Sequence, residues 1–258
     1  MKECALKYSI PVLQPINLKS PEFLEKLRSY KANLQIVVAF RMLPELVWSM
    51  PSLGTFNLHA SLLPDYRGAA PINWAIINGE KETGATTFFL KHEIDTGSII
   101  FQVKEPIHED DNVGTLYERL KQKGAELVLK TVKAIEENNY PSIPQPENKT
   151  IKHAPKIFKE TCEIQLNKSS EEIRNFVRGL SPYPAAWTSI GEKIFKVFKV
   201  NVVSSPQRGH DDNAFQTDHK TFLHLRTIDG WISLEEIQPD GKKRMTIQEF
   251  FRGNKLAL

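Results

Sequence analysis

Leu34-Gln35-Ile36-Val37-Val38-Ala39-Phe40 is short, mostly apolar and rich in β-branched residues. This is the pattern of a strand buried on both faces of a parallel sheet. Working outward, residues 43–50 read as helix and residues 53–59 (Leu-Gly-Thr-Phe-Asn-Leu-His) as the next strand. Residues 70–79 suggest a helix with Pro71 in its first turn and Gly79 near its end. Strands return at 84–91 and 98–107. The longest periodic helix spans 112–137, with Leu116, Leu120, Leu127, Val128 and Ile135 spaced to make one apolar stripe. The alternation of strands and helices predicts an open α/β sheet, mostly parallel, whose functional groups lie at the carboxyl ends of strands.

Pro141, Pro144, Pro146 and Pro155 punctuate a polar stretch, which predicts a linker at 141–160 between a first domain (1–140) and a second (161–258). Beyond it, residues 169–179 read as a helix capped by Ser169 or Ser170 and ending at Gly179. Strand-like runs at 188–190, 194–203, 221–226 and 231–237 then predict a small β-barrel of the oligonucleotide-binding (OB-like) kind.

With 258 residues, two domains are expected, and 40% hydrophobic residues supply both cores. No apolar run reaches the length of a membrane span, and the start, Met1 to Tyr8, has no apolar leader segment, so the expectation is a cytoplasmic protein that binds no membrane. Cys4 and Cys162 are too few and too far apart for a metal-ligand pattern, so no metal is expected. The net charge of +3 is unevenly spread: residues 151–258 hold 17 Lys+Arg against 13 Asp+Glu, and residues 1–150 hold 17 against 18. A mild basic excess in the second domain is compatible with a nucleic-acid contact.

The chemistry is concentrated around the second strand. Asn57 and His59, two apart, share one face while Leu58 points the other way. An amide donor beside an imidazole can hold the negative oxygen of a tetrahedral intermediate, and Asp95 could orient the imidazole and move protons. These features suggest acyl transfer.

The run Asn57-Leu58-His59-Ala60-Ser61-Leu62-Leu63-Pro64-Asp65-Tyr66-Arg67-Gly68-Ala69-Ala70-Pro71 resembles the signature of the formyltransferases that use 10-formyltetrahydrofolate. A second block, Gly84-Ala85-Thr86-Thr87 followed by Glu93-Ile94-Asp95-Thr96-Gly97, is similar to that family's next motif. Downstream, Arg174 to Trp187 and Ile237 to Met245 resemble the branch that formylates methionyl-tRNA. The resemblance implies a Rossmann-like catalytic domain and formyl transfer to the α-amino group of methionyl initiator tRNA, for translation initiation, by a monomer. It implies catalytic roles for Asn57, His59 and Asp95. A folate site would be lined by Ser61, Leu62, Leu63 and Pro64 with backbone groups of His92, Glu93 and Ile94. The tRNA contacts would be Tyr66, Arg67, Lys149, Lys152, Lys156, Lys159, Lys242, Lys243 and Arg244. The family also opens with a strand-helix-strand unit and a basic loop that do not precede Met1, so the sheet is expected to be N-terminally truncated. A sugar N-formyltransferase, or a non-catalytic folate- or RNA-binding fragment, is the competing reading.

Overall fold

The computed structural model describes the chain apart from residues 40, 41, 94, 147–149, 192, 204–213, 255, 257 and 258. Two helices come first: α1 (Lys2–Lys7) and α2 (Pro21–Ser29). The hydroxyl of Ser20 caps α2 by accepting from the Phe23 amide at 3.3 Å, and Pro21 occupies its first turn. Then follow β1 (Gln35–Val38), α3 (Glu45–Trp48), β2 (Thr55–His59), the two-residue β3 (Arg67–Gly68), α4 (Pro71–Ile77), β4 (Glu82–Phe89), β5 (Ile99–Pro106) and α5 (Val113–Glu136).

Four of these strands form one sheet in the order β1-β2-β4-β5. It is parallel at β1–β2 and antiparallel where β4 meets β2 and β5. Only nine residues separate β4 from β5, enough for a hairpin return but short of the helical crossover a parallel partner needs. β1 is the outer strand. Ile36 and Val38 are therefore 45% and 43% exposed, where the apolar run predicts burial on both faces.

α5 covers one face of the sheet. Its start is fixed by a reciprocal cap, with Asn112 Oδ1 accepting from the Thr115 amide and Thr115 Oγ1 from the Asn112 amide. Of the predicted stripe, Leu116, Leu120, Leu127 and Ile135 are buried and Val128 is partly buried, and Gly124, Thr131 and Ala134 extend the buried face. Leu58 of β2 lies against Gly124, where an added Cβ would come within 2.9 Å of its side chain. Strand alternation then turns Asn57 and His59 away from the helix.

The proline-rich stretch is a docked strap, not a free spacer. Ile143 exchanges two backbone hydrogen bonds with Ile99, Gln145 is buried, and β6 (His153–Ala154) pairs in parallel with β3. A 3₁₀ turn (Lys159–Cys162) leads to α6 (Ser170–Leu180), capped by Ser169, one of the two serines expected, in a reciprocal box with Glu172.

The C-terminal sheet comprises β7 (Ala186–Ile190), β8 (Lys193–Val203), β9 (Phe215–Thr217), β10 (Leu223–Arg226), β11 (Trp231–Pro239) and β12 (Met245–Thr246), all antiparallel, in the order β7-β8-β11-β10-β9 with β12 beside β11. Register shifts near Glu236 bend β11 against β8 and help curl the sheet into a half-barrel. α6 and α7 (Ile247–Gly253) contribute Val177, Leu180, Phe250 and Phe251 to its core.

α6 also joins the two halves. Asn73 of α4 donates to the Gly179 carbonyl at 2.8 Å, and Arg178 donates to the carbonyls of Asp111 and His108, both at 2.7 Å.

Candidate active site

β2 delivers Asn57 and His59 side by side, and both are buried. His59 is anchored by the loop that follows it. Its Nε2 lies 2.8 Å from the Tyr66 carbonyl oxygen, an acceptor, so that nitrogen carries the proton and donates. Tyr66 adopts φ 62°, a left-handed conformation uncommon for a bulky residue. With Nε2 engaged, Nδ1 is the ring atom left for chemistry, and it lies 4.0 Å from Asp95 Oδ2.

Asp95 belongs to the β4–β5 loop and is also left-handed, at φ 57°. Its Oδ2 accepts from the Gly68 amide at 3.0 Å. Gly68 has φ +123°, and a Cβ there would meet the Ala154 carbonyl at 2.5 Å, so the β3–β6 pairing that presents this amide requires glycine. Asn57 Oδ1 is buried with no hydrogen-bond partner among the described residues. An orphan of this kind beside an imidazole and a carboxylate is the mark of a group that meets a bound molecule.

The loop after β2 is braced from behind. Thr86 Oγ1 donates to the Ser61 carbonyl at 2.6 Å and accepts from the Leu63 amide at 3.2 Å, while Gln102 Nε2 donates to the Leu63 carbonyl at 3.0 Å. Ser61 and Leu63 are buried, the Ser61 hydroxyl donating to the Asp65 carbonyl; Leu62 and Pro64 are half-buried. His92 and Glu93 are exposed, His92 pairing with Glu45 at 3.2 Å and packing edge-on against Trp48. Ile94 and Lys149 lie outside the described residues.

Tyr66 is one of the expected tRNA contacts. Its ring is buried and its hydroxyl donates to Glu80 at 2.5 Å, with burial first and that hydrogen bond second holding the phenol well above its ordinary pKa. It serves the site through its backbone carbonyl. Arg67 is half-buried and both its Nε and Nη2 donate to Gln145 Oε1, at 3.1 and 2.5 Å. Lys152 binds Glu80, and Lys156 lies over the Phe158 ring. Lys159 is exposed, its carbonyl taken by Trp187 Nε1. Lys242 and Lys243 are exposed on the β11–β12 turn, and Arg244 there pairs with Glu236 and lies over Phe198. The structure thus brings Asn57, His59, Asp95 and Arg67 together, while the lysines are spread along the strap and the second domain.

The sequence reading missed Gly68, Thr86, Gln102 and Gln145. Of these, Gly68 and Thr86 lie inside the two motif blocks without a role of their own, and Gln145 sits between Pro144 and Pro146 in a stretch read as linker.

Residues 2–132 match the family model described as "Formyl transferase" and residues 156–255 that described as "Formyl transferase, C-terminal domain". The chain belongs to the formyltransferase family. This formyltransferase is 51% identical, over all of its length and 82% of the relative's, to the methionyl-tRNA formyltransferase of Azobacteroides pseudotrichonymphae genomovar. CFP2. It is 52% identical to that of Bacteroides fragilis, over 98% of this chain and 80% of the relative. Its fold is similar to HypX from Aquifex aeolicus solved with tetrahydrofolic acid (TM-score 0.67, 20% identity, 90% of this chain and 41% of HypX). It is equally similar to the sugar 3N-formyl transferase WlaRD solved with dTDP and 5-N-formyl-THF (TM-score 0.67, 22% identity, 94% and 82%). At such identities these two structures speak to the fold alone.

Proposed function

We propose that this formyltransferase moves the formyl group of 10-formyltetrahydrofolate to the α-amino group of methionyl initiator tRNA. The amine attacks the formyl carbon, a new C–N bond forms, and the carbonyl oxygen becomes an oxyanion beside Asn57 and His59. The C–N10 bond then breaks. N10 of the folate keeps the electron pair and gains one proton, and the amine gives one up.

The observation that carries this reading is the buried group of Asn57, His59 and Asp95, set in a chain about half identical to methionyl-tRNA formyltransferases over nearly its whole length. In the neutral ring, Nε2–H is committed to the Tyr66 carbonyl, so Nδ1 offers its lone pair as proton acceptor. Once protonated, Nδ1 becomes a donor to the oxyanion, and the Asp95 carboxylate stabilises the imidazolium. The orphaned Asn57 Oδ1 fits a folate co-substrate that supplies its missing partner. Ser61, Leu62, Leu63 and Pro64, with the backbone of 92–94, form the folate wall in this reading. Arg67, Lys149, Lys152, Lys156, Lys159, Lys242, Lys243 and Arg244 supply tRNA phosphate contacts, a sequence-independent and salt-sensitive attraction.

The test is transfer of labelled formyl from 10-formyltetrahydrofolate to methionyl initiator tRNA, with a nucleotide amino sugar as the rival acceptor. Transfer to the tRNA that disappears in His59→Ala is the expected result. Transfer to the sugar alone would overturn the reading.

A further inference from the structure

Gln145 grips the catalytic loop and the β3 arm together. Its Nε2 donates to the carbonyls of Asp95 and Gly97, both at 2.8 Å, while its Oε1 accepts from Nε and Nη2 of Arg67. The side chain is buried, and its amide uses both donors and takes two hydrogen bonds at its oxygen. Pro144 and Pro146 flank it. Each proline fixes its own φ, and Pro146 restricts the backbone before it to extended conformations, so little entropy is lost in presenting this amide.

The consequence falls on Asp95. A non-glycine residue at φ 57° persists only where its surroundings over-determine it. Two bonds do so: Gln145 holds the Asp95 carbonyl, and the Gly68 amide holds its carboxylate. Gly68 is itself held by β6, a later part of the same strap. Gln145 and β6 thus clasp the Asp95 loop from both sides.

We propose that Gln145 is a positioning residue of the transfer reaction, setting the Asp95 carboxylate against His59 through the backbone of the 95–97 turn. This rests on the function proposed above for its kinetic arm only. Gln145→Glu, which keeps the length and the Arg67 partner but removes the donors to the two carbonyls, and Gln145→Ala, which removes everything, are compared with the parent chain. The kinetic expectation is a tenfold or greater fall in kcat for both variants, with KM for the folate changed less than threefold and a lower melting temperature that still leaves both variants folded at the assay temperature. The second arm needs no turnover. The ring chemical shifts of His59, read at fixed pH by NMR on histidine-labelled protein, are expected to change in both variants because the carboxylate facing Nδ1 has moved.

A parent chain that formylates no methionyl-tRNA would sink the proposed function and leave the His59 spectra to decide the role of Gln145. Unchanged His59 ring shifts in both variants, or activity lost only in proportion to unfolded protein, would overturn the positioning role.

Discussion

The two halves of the molecule spend their buried volume differently. The C-terminal half closes one continuous apolar cluster running from Cys162 through Phe195, Leu234 and Ile237 to Phe250 and Leu256. Among the described residues the first half has separate, smaller clusters around Ile76 and Leu116, around Phe56 and Ile100, and around Phe88 and Ile99. Between them lie buried Asn57, His59, Ser61, Thr86, Thr87, Asp95 and Gln145. A buried polar group left unpaired costs about 1–3 kcal/mol, so nearly all of these are partnered. The second half also buries polar side chains, such as Ser170, Asn175 and Thr227, but among the described residues its buried set holds no imidazole or carboxylate, which makes the first half the candidate for the chemistry.

Several substitutions sharpen or break this contrast. The largest effect is expected in the first half. His59→Ala should lower formyl transfer by about 10²–10⁴-fold and Asn57→Ala by about 10²–10³-fold, with unfolding midpoints close to the parent. A comparable loss of stability in either variant would mean that the buried polar group is structural. Phe195→Ala should act in the opposite sense, removing about 3–5 kcal/mol in denaturant unfolding by opening a cavity in the continuous core.

Gly179→Ala tests whether the halves are independent at all. Its Cβ would clash with Ile77 Cγ1 and come within 3.0 Å of the Asn73 carbonyl. A cost of about 1–3 kcal/mol is expected, with the cooperative transition splitting in two if α4–α6 packing is what couples them. A single unshifted transition would argue against that coupling.

An acid limb belongs to the first half. Burial pushes the Asp111 carboxyl up, but the Arg119 guanidinium, the His108 amide and the Thr115 hydroxyl outweigh it and hold the group at about 2. Because the folded value lies below the ordinary Asp value of about 3.9, this stabilisation is present above that pH and is lost as pH falls through about 2. Asp111→Asn should therefore flatten the dependence of stability on pH between about 4 and 2, read by thermal melts across that range. The smallest effect is expected from Lys242→Ala with Lys243→Ala: affinity for tRNA a few-fold weaker, and a logarithmic salt slope reduced by about 1–2.

Much of the local structure follows from short-range pattern. The α5 stripe, the Ser169 cap of α6 and the pairing of Asn57 with His59 on one strand face all rest on periods of 3.6 or 2 and on residues three or four apart. The two-block motif likewise singles out Asp95. What no local pattern carries is the closure of the site. The Tyr66 carbonyl reaches His59 only because Tyr66 turns left-handed, and Gly68 meets Asp95 27 residues away. Gln145 grips Asp95 and Arg67 across 50 and 78 residues, from a stretch whose prolines and polar side chains read as a spacer.

By itself, then, the sequence determined the alternation of elements, the two-domain plan, the family and the candidate catalytic triplet, because each is written in residue type and short spacing. Only the tertiary structure decided the mixed strand directions, the exposed face of β1, the inward turn of Tyr66 and the clasp of the strap on Asp95. Each of those depends on long-range hydrogen bonds and packing that become favourable only once the chain has closed on itself.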